Sequence, residues 1–431
     1  MFSRMSLLEV AAALRRRDVT SSRLVDHCLA RVEIHEPRIR AWVSVDAVRA
    51  LDEAKRLDEE LAAGKDRGPL HGIPIGVKDI VDVAGLPTAA GSPLLGKEPA
   101  RQDARVVARL REAGAVVLGK TVTTEFACFD PSRARNPWNV GHTPGGSSSG
   151  SAAATALGMC LAAVGSQTGG SITRPASYCG VAGFKPTLGR VSTEGVHPVS
   201  FTLDHVGPIA RRVVDLSILL QAMAEPDSAC GLAPVWDLLE PLSTASFLET
   251  KPRLGLIEGF FLDEPESAQS VLAAAETFTD AGADVARVKL PESFAVVHKM
   301  HRRVMAAEAA EQHRELFRRE GDSYGPAVRG LVEEGLELSA ADYAEALKAR
   351  SRFQREMVGA LSTVDALLTP ATPTAAPPWL QSTGDPKFNS PWSFAGLPTA
   401  SFPSGLNSDG MPSAVQLIGN WGGENQLLQV A

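Results

Sequence analysis

The chain has 431 residues, 44% of them hydrophobic and 22% charged. That is an ordinary composition for a soluble globular protein, long enough to bury a core without disulfides. A net charge of −7 argues against a nucleic-acid partner, and no apolar run reaches the ~20 residues needed to span a bilayer.

The first apolar stretch, residues 7–17, has helical spacing. Glu9 interrupts it and Arg15-Arg16-Arg17 follows, the reverse of the order in a secretory leader; a cytoplasmic location is expected. Residues 22–35 are a second predicted helix, with Leu24, Val25, Cys28, Leu29 and Val32 on one face. Thr20 or Ser21 should cap it, and Pro37 lies just beyond its predicted end. Residues 46–63, closed by Gly64, are a third. All three read as outer helices with solvated charged faces. Residues 72–79 read as a strand, with Ile73, Ile75 and Val77 apolar and Lys78 at the carboxyl end, where α/β sheets place ligands. A helix at 103–114 leads into a strand at 115–118. A small-residue helix is predicted at 152–163, capped by Ser149 or Ser151. Residues 230–252, rich in Pro, Leu and Ser, look like a connector.

Further on, residues 253–257, 265–281 and 285–288 read as strand, helix and strand. Long helices are predicted at 294–320 and at 340–361, where Tyr343, Ala346, Leu347 and Arg350 share a face. A strand at 366–369, a loop at 377–389 and strands at 396–403 and 415–419 follow; a helix starts at 426–431, so the sequence is expected to end near the last helix of the fold. The alternation of helix and strand implies an α/β class, and no fixed repeat is present. At 431 residues the chain could be one large domain or two to three smaller ones; one is expected, with N-terminal helices over 1–65, a core over 66–225, and the rest of the same domain over 250–431.

Several motifs carry less than they suggest. Gly114 to Thr121 matches the phosphate-loop expression, but its four middle residues are apolar and strand-prone, whereas a phosphate loop follows its strand and opens a helix. Gly146-Ser147-Ser148-Ser149-Gly150 matches a nucleophile elbow, yet the segment before it is rich in turn residues, and an elbow needs a strand there. Of the histidines that could serve such a triad, His197, His205, His298, His301 and His313, the last three read as lying on an exposed charged helix; His205 is the best placed. His71, His142 and the rest show no metal-ligand spacing. The five cysteines, 28, 128, 160, 179 and 230, are odd in number and lack C-x-x-C spacing. They are expected as buried thiols in a reducing compartment and not as a zinc site.

The chemistry-bearing stretch is 144–176. Two glycine–serine clusters flank a run of small apolar residues. Glycine and serine bury little apolar surface, but glycine lets backbone approach a ligand and hydroxyls supply nucleophiles. Composition alone also fits two linker loops around a helix. Ser147 and Ser171, 24 residues apart, can return to one end of a sheet if a helix runs out and the chain runs back. Singly, Ser147 reads as a turn serine, Ser171 as a helix cap and Lys78 as a surface lysine.

Together these residues resemble the amidase signature family, whose catalytic set is Ser–Ser–Lys. The resemblance rests on His71-Gly72-Ile73-Pro74-Ile75-Gly76-Val77-Lys78-Asp79, the Gly145–Ser151 block and Gly165 to Ala176. Gly119-Lys120-Thr121, Arg135-Asn136-Pro137-Trp138-Asn139 and Gly183-Phe184-Lys185-Pro186-Thr187 support it, so it covers nearly the whole chain. It implies a twisted mixed sheet covered by helices on both faces. It implies that Ser171 is the nucleophile, Ser147 the relay after a cis Gly146–Ser147 bond, and Lys78 the base. It implies an oxyanion hole of backbone N–H groups from Thr168, Gly169, Gly170 and Ser171, substrate contacts from Gly145, Gly146 and Gln167, and no metal or cofactor. Lys78 can serve as base only if it is desolvated and free of a carboxylate; Asp79, next to it on a strand, should face the other way.

The implied activity is hydrolysis of a small-molecule amide through an acyl-serine, by a stand-alone amidase, with a homodimer left open. The sequence departs from the family pattern at Gln167, where an aspartate is common, and at Arg174, three residues past Ser171 where two is frequent. The family also holds the amidotransferase subunit that amidates misacylated tRNA. Its arginine segment before a tyrosine-rich helix is not found; only Tyr324 and Tyr343 lie there, and 382–392 is similar to stand-alone amidases. Other readings are an esterase-leaning hydrolase and a non-catalytic assembly subunit, the latter disfavoured by the intact trio. Phe126, Cys128, Phe129, Tyr178 and Trp392 are the apolar candidates for a pocket lining.

Overall fold

In the computed structural model, which describes residue 2 and residues 5–225 and 251–431, eleven strands join in one mixed sheet. In chain order they are β1 (Trp42–Val45), β2 (Pro74–Lys78), β3 (Val116–Thr121), β4 (Ala162–Gln167), β5 (Ala182–Lys185), β6 (His205–Ala210), β7 (Arg253–Ile257), β8 (Asp284–Val288), β9 (Ala366–Pro370), β10 (Thr399–Leu406) and β11 (Pro412–Ile418). Across the sheet they run β1-β3-β2-β4-β6-β5-β10-β11-β9-β7-β8. β2 lies between β3 and β4 and is parallel to both, and β4 is antiparallel to β6. β2, β3 and β4 are buried along their whole length, as strands in the middle of a sheet with both faces covered must be. The fold is a single α/β domain.

The predicted strand at 72–79 is β2, and Lys78 is its last residue. The strand–helix–strand reading of 253–288 matches β7, the helix Pro265–Asp280 and β8. Asp46 caps the third helix by accepting from the Arg49 N–H at 3.1 Å, and Thr20 caps the second by accepting from Arg23. That second helix does not stop before Pro37; it continues to Ile39. Proline costs one helical bond there, but the turn is closed by the left-handed Arg40, whose N–H donates to the Glu36 carbonyl at 3.0 Å. The Glu36 carboxylate also accepts from Ala41 and Trp42.

The small-residue run is where prediction and structure differ most. The predicted helix at 152–163 is a shorter helix, Ser149–Ala156, followed by a turn and then β4. Gly158, at φ +66°, breaks the run; beyond it, Ala162 to Val164 pair with β2 on one side and β6 on the other. Neither Ser149 nor Ser151 caps the helix. Its N-cap is Ser148, whose side chain makes no capping bond, while the Ser149 and Ser151 hydroxyls donate to the carbonyls of Gly145 and Val164.

The helix Val297–Glu320 is not an exposed charged helix on all sides. His301 is 5% and His313 2% exposed, because the helices Pro326–Glu337 and Ala340–Ala360 pack against it. No helix among the described residues is long and apolar enough to cross a membrane. The four described cysteines are buried and free; Cys230, and most of the expected connector at 230–252, lie outside the described residues.

Candidate active site

Alternation along β2 decides what each side chain meets. Lys78 points to one face and is fully buried; its Nζ lies 2.6 Å from Ser147 Oγ and 2.8 Å from Ser166 Oγ of β4. Asp79 points to the other face, as expected, and pairs at 2.9 Å with Lys120, both side chains being fully buried. Lys120 also donates to the Pro87 carbonyl and to Thr88 Oγ1. The phosphate-loop look-alike is therefore strand β3 carrying half of an internal ion pair.

Lys78 forms no ion pair with any described residue. Burial brings its pKa down to about 7, while the Asp204 carboxylate and Cys128 pull the other way. Asp204 is itself pushed up to about 6 by burial, against hydrogen bonds from Thr168, Val199 and Ser200. An uncharged lysine amine touching a serine hydroxyl can accept a proton from it.

Ser147 follows a cis peptide bond at Gly146–Ser147. The Gly146 carbonyl accepts from Arg174 Nη2 at 2.9 Å, and the same guanidinium reaches the Gly384 carbonyl and Thr383 Oγ1. The Ser148 N–H donates to the Ser171 carbonyl at 3.2 Å, so the two serine segments are joined backbone to backbone beside Lys78. Ser148, the middle serine of the elbow motif, is fully buried with its hydroxyl on the Ser166 carbonyl, and His205 bonds the Gln167 carbonyl. No nucleophile elbow is formed there.

Ser171 is 9% exposed and opens on a cavity of about 310 Å³, at the small end of the roughly 300–1,000 Å³ usual for small-molecule sites. Thr168, Gly169, Gly170 and Arg174 line it beside Ser171; Cys128, Phe129 and Met305 supply apolar wall, and His298 and Asp385 polar wall. The wall does not include Gly145, Gly146 or Gln167. A side chain at Gly145 would run into Pro175 and Tyr178 at 3.0 Å, and one at Gly146 into Thr383 at 2.7 Å. These glycines let the serine loop pack. Gln167 Oε1 accepts from the N–H groups of Ile172 and Thr173, at 2.8 and 3.0 Å, and from Thr173 Oγ1; its Nε2 donates to Ser393. It caps the helix Thr173–Cys179, work an aspartate could also do by accepting. Of the apolar candidates, Cys128 and Phe129 line the cavity, whereas Phe126, Tyr178 and Trp392 are buried packing.

The sequence does not single out Ser166, Asp204 or Ser393, and it offers His301 only as a triad histidine on an exposed helix. For Ser166 a signal exists: it is the second residue of the second glycine–serine cluster. The other three come from segments further along the chain and touch the cluster only after folding.

The site thus holds a buried lysine amine against the Ser147 hydroxyl, with Ser171, whose carbonyl takes the Ser148 N–H, lining a cavity. Residues 23–428 match the family described as Amidase, and the chain belongs to it. The chain is 38% identical to a glutamyl-tRNA(Gln) amidotransferase subunit of Synechococcus sp. (strain WH7803), over 99% of this chain and 96% of that one. It is 36% identical to the putative amidase AmiD of Mycobacterium bovis (strain ATCC BAA-935 / AF2122/97), over 99% and 93%. A solved structure of the peptide amidase PAM with the competitive inhibitor chymostatin superposes with a TM-score of 0.89 at 31% identity, covering 100% of this chain and 96% of that one.

Proposed function

We propose that the protein hydrolyses a linear carboxylic amide to the acid and ammonia or an amine, through an acyl-serine. The observation that carries this reading is Lys78: buried, without a carboxylate partner among the described residues, brought down to about 7, and 2.6 Å from Ser147. Ser171 Oγ attacks the carbonyl carbon. Its proton passes to Ser147 Oγ as the Ser147 proton passes to Lys78 Nζ. The carbonyl oxygen becomes an oxyanion facing the N–H groups of the 168–171 loop. When the C–N bond breaks, the proton returns from Lys78 through Ser147 to the departing nitrogen, which needs it because amines leave poorly. Water then attacks the acyl-Ser171 ester, gives its proton to the same relay, and releases the acid with Ser171 restored. Gly145, Gly146 and Gln167 support this reaction by shaping the serine loops.

A second reading is supported by the first relative named above. Within an amidotransferase the chain would perform the same cleavage on a carboxamide and hand on the ammonia. The two readings separate in one experiment. The purified chain is tested against acetamide, propionamide, benzamide and glutamine, with matching esters, first alone and then with the other subunits of a glutamyl-tRNA(Gln) amidotransferase added. Turnover of simple amides without any partner supports the stand-alone hydrolase. Cleavage of glutamine only, and only with further proteins present, supports the amidotransferase role.

A further inference from the structure

The loop between β4 and the helix Thr173–Cys179 is held in an unusual way. In a trans peptide the C=O and the following N–H point in opposite directions, so fixing a carbonyl aims the next residue's N–H. Three successive carbonyls in the loop are fixed. Thr168 O accepts from His301 Nε2 at 3.0 Å, Gly169 O from Ser393 Oγ at 2.8 Å, and Gly170 O from the Arg174 N–H at 2.9 Å. The N–H groups of Gly169, Gly170 and Ser171, which those planes carry, have no hydrogen-bond partner among the described residues, and all three residues line the cavity. The third carbonyl is held by the helix the loop itself opens. The first two are held by side chains 133 and 224 residues further along the chain.

We propose that His301 and Ser393 are positioning residues: they fix the Thr168–Gly169 and Gly169–Gly170 peptide planes so that two backbone N–H groups face the substrate's carbonyl oxygen. The inference rests on the amide-hydrolase reading above. A carbonyl can only accept, so His301 Nε2 carries the hydrogen. Burial brings the imidazole down to about 4, which keeps that neutral tautomer in place, and the ring leans edge-on to Phe394 with centroids 6.2 Å apart. Ser393 has a single proton to donate. Gln167 Nε2 donates to the Ser393 oxygen at 3.2 Å, so that proton is committed to the Gly169 carbonyl. A carboxylate at position 167 would still cap the helix but would draw the Ser393 proton away from Gly169.

The test uses the full chain, a fluorophosphonate probe for Ser171, and an amide from the panel above. In H301F and S393A, kcat should fall by roughly 10- to 100-fold, below the roughly 100- to 1,000-fold loss seen when an oxyanion donor is removed outright. KM should stay within about threefold, and the rate of Ser171 labelling should fall in proportion to kcat. H301Q, whose amide nitrogen can stand where Nε2 stands, should recover most of the loss. Gln167→Glu should behave like S393A while melting near the wild type. Unchanged kcat in H301F and S393A overturns the proposal. So does an equal loss in H301F and H301Q, which would make the ring's packing the cause. A wild type that neither labels at Ser171 nor turns over any amide overturns the hydrolase reading, and this inference falls with it.

Discussion

At the scale of single residues, Lys78 is the most exacting position. A lysine brought down to about 7 is protonated below that pH and cannot accept the Ser147 proton. Deprotonation creates the active form, so kcat/KM should rise with pH through about 7 and level above it, measured on the free enzyme with a simple amide from pH 5 to 10. Lys78→Arg should be as damaging as Lys78→Ala, since arginine stays charged. Esters should lose less than amides in both, because an alkoxide leaves with less need of a proton; equal losses would remove Lys78 from acid–base duty. Ser171→Ala should lower kcat by roughly 10⁴-fold or more with an unchanged melting curve, as one hydroxyl is lost and little packing. Lys78, Ser147 and Ser171 stand out in the sequence only together, through the resemblance of their segments to the amidase signature family; singly each reads as a structural residue. The roles of His301 and Ser393 are not legible there, because one histidine on a charged helix and one serine in the short helix Ser390–Ala395 look like any other until the fold brings them to residues 168 and 169.

At the scale of elements, the glutamine cap and the internal ion pair each carry a prediction. Gln167→Ala strips the acceptor from two backbone N–H groups and a threonine hydroxyl at a buried helix start. The expected loss is about 2 kcal/mol, read as a lower denaturant midpoint. Lys120→Ala leaves Asp79 buried without its cation; breaking such a pair costs about 3–5 kcal/mol, and ATP should bind neither wild type nor variant. Strong alternation and clear caps made β2, β7 and the outer helices legible. β5 and β6 are not legible because β5 has only four residues, β6 is interrupted by Gly207 and Pro208, and neither shows a period. The run 152–164 misled because alanine suits a helix, while its second half becomes strand only by pairing with β2 and β6. Tertiary context outweighed propensity there.

At the scale of the whole molecule, the last helix, Glu424–Val430, is tied to the core through its first residue. Glu424 pairs with Arg190 at 3.0 Å, both side chains 1% exposed, and accepts the Thr187 N–H at 2.9 Å. Glu424→Ala should destabilise the domain by about 3 kcal/mol, measured by urea unfolding, with kcat little changed, because none of these groups lines the cavity. The α/β class is legible from alternation; the single domain is not, because a chain of 431 residues also fits two or three smaller ones. Nor is the order of eleven strands, because strands far apart in sequence, β5 and β10 for example, are neighbours and nothing local announces the pairing.

The neighbouring pair Lys78 and Asp79 also bears on how the chain assembles. A strand shifted by one residue turns every side chain to the opposite face. In β2 that slip would bring a carboxylate among Ser147 and Ser166 and drive a lysine against Lys120, burying like charges together. Misregistered sheets are thus penalised at the residues the site depends on. Molecules that complete the sheet should be uniformly competent, and a one-residue insertion in β2 should yield aggregated protein, not a folded enzyme of reduced rate.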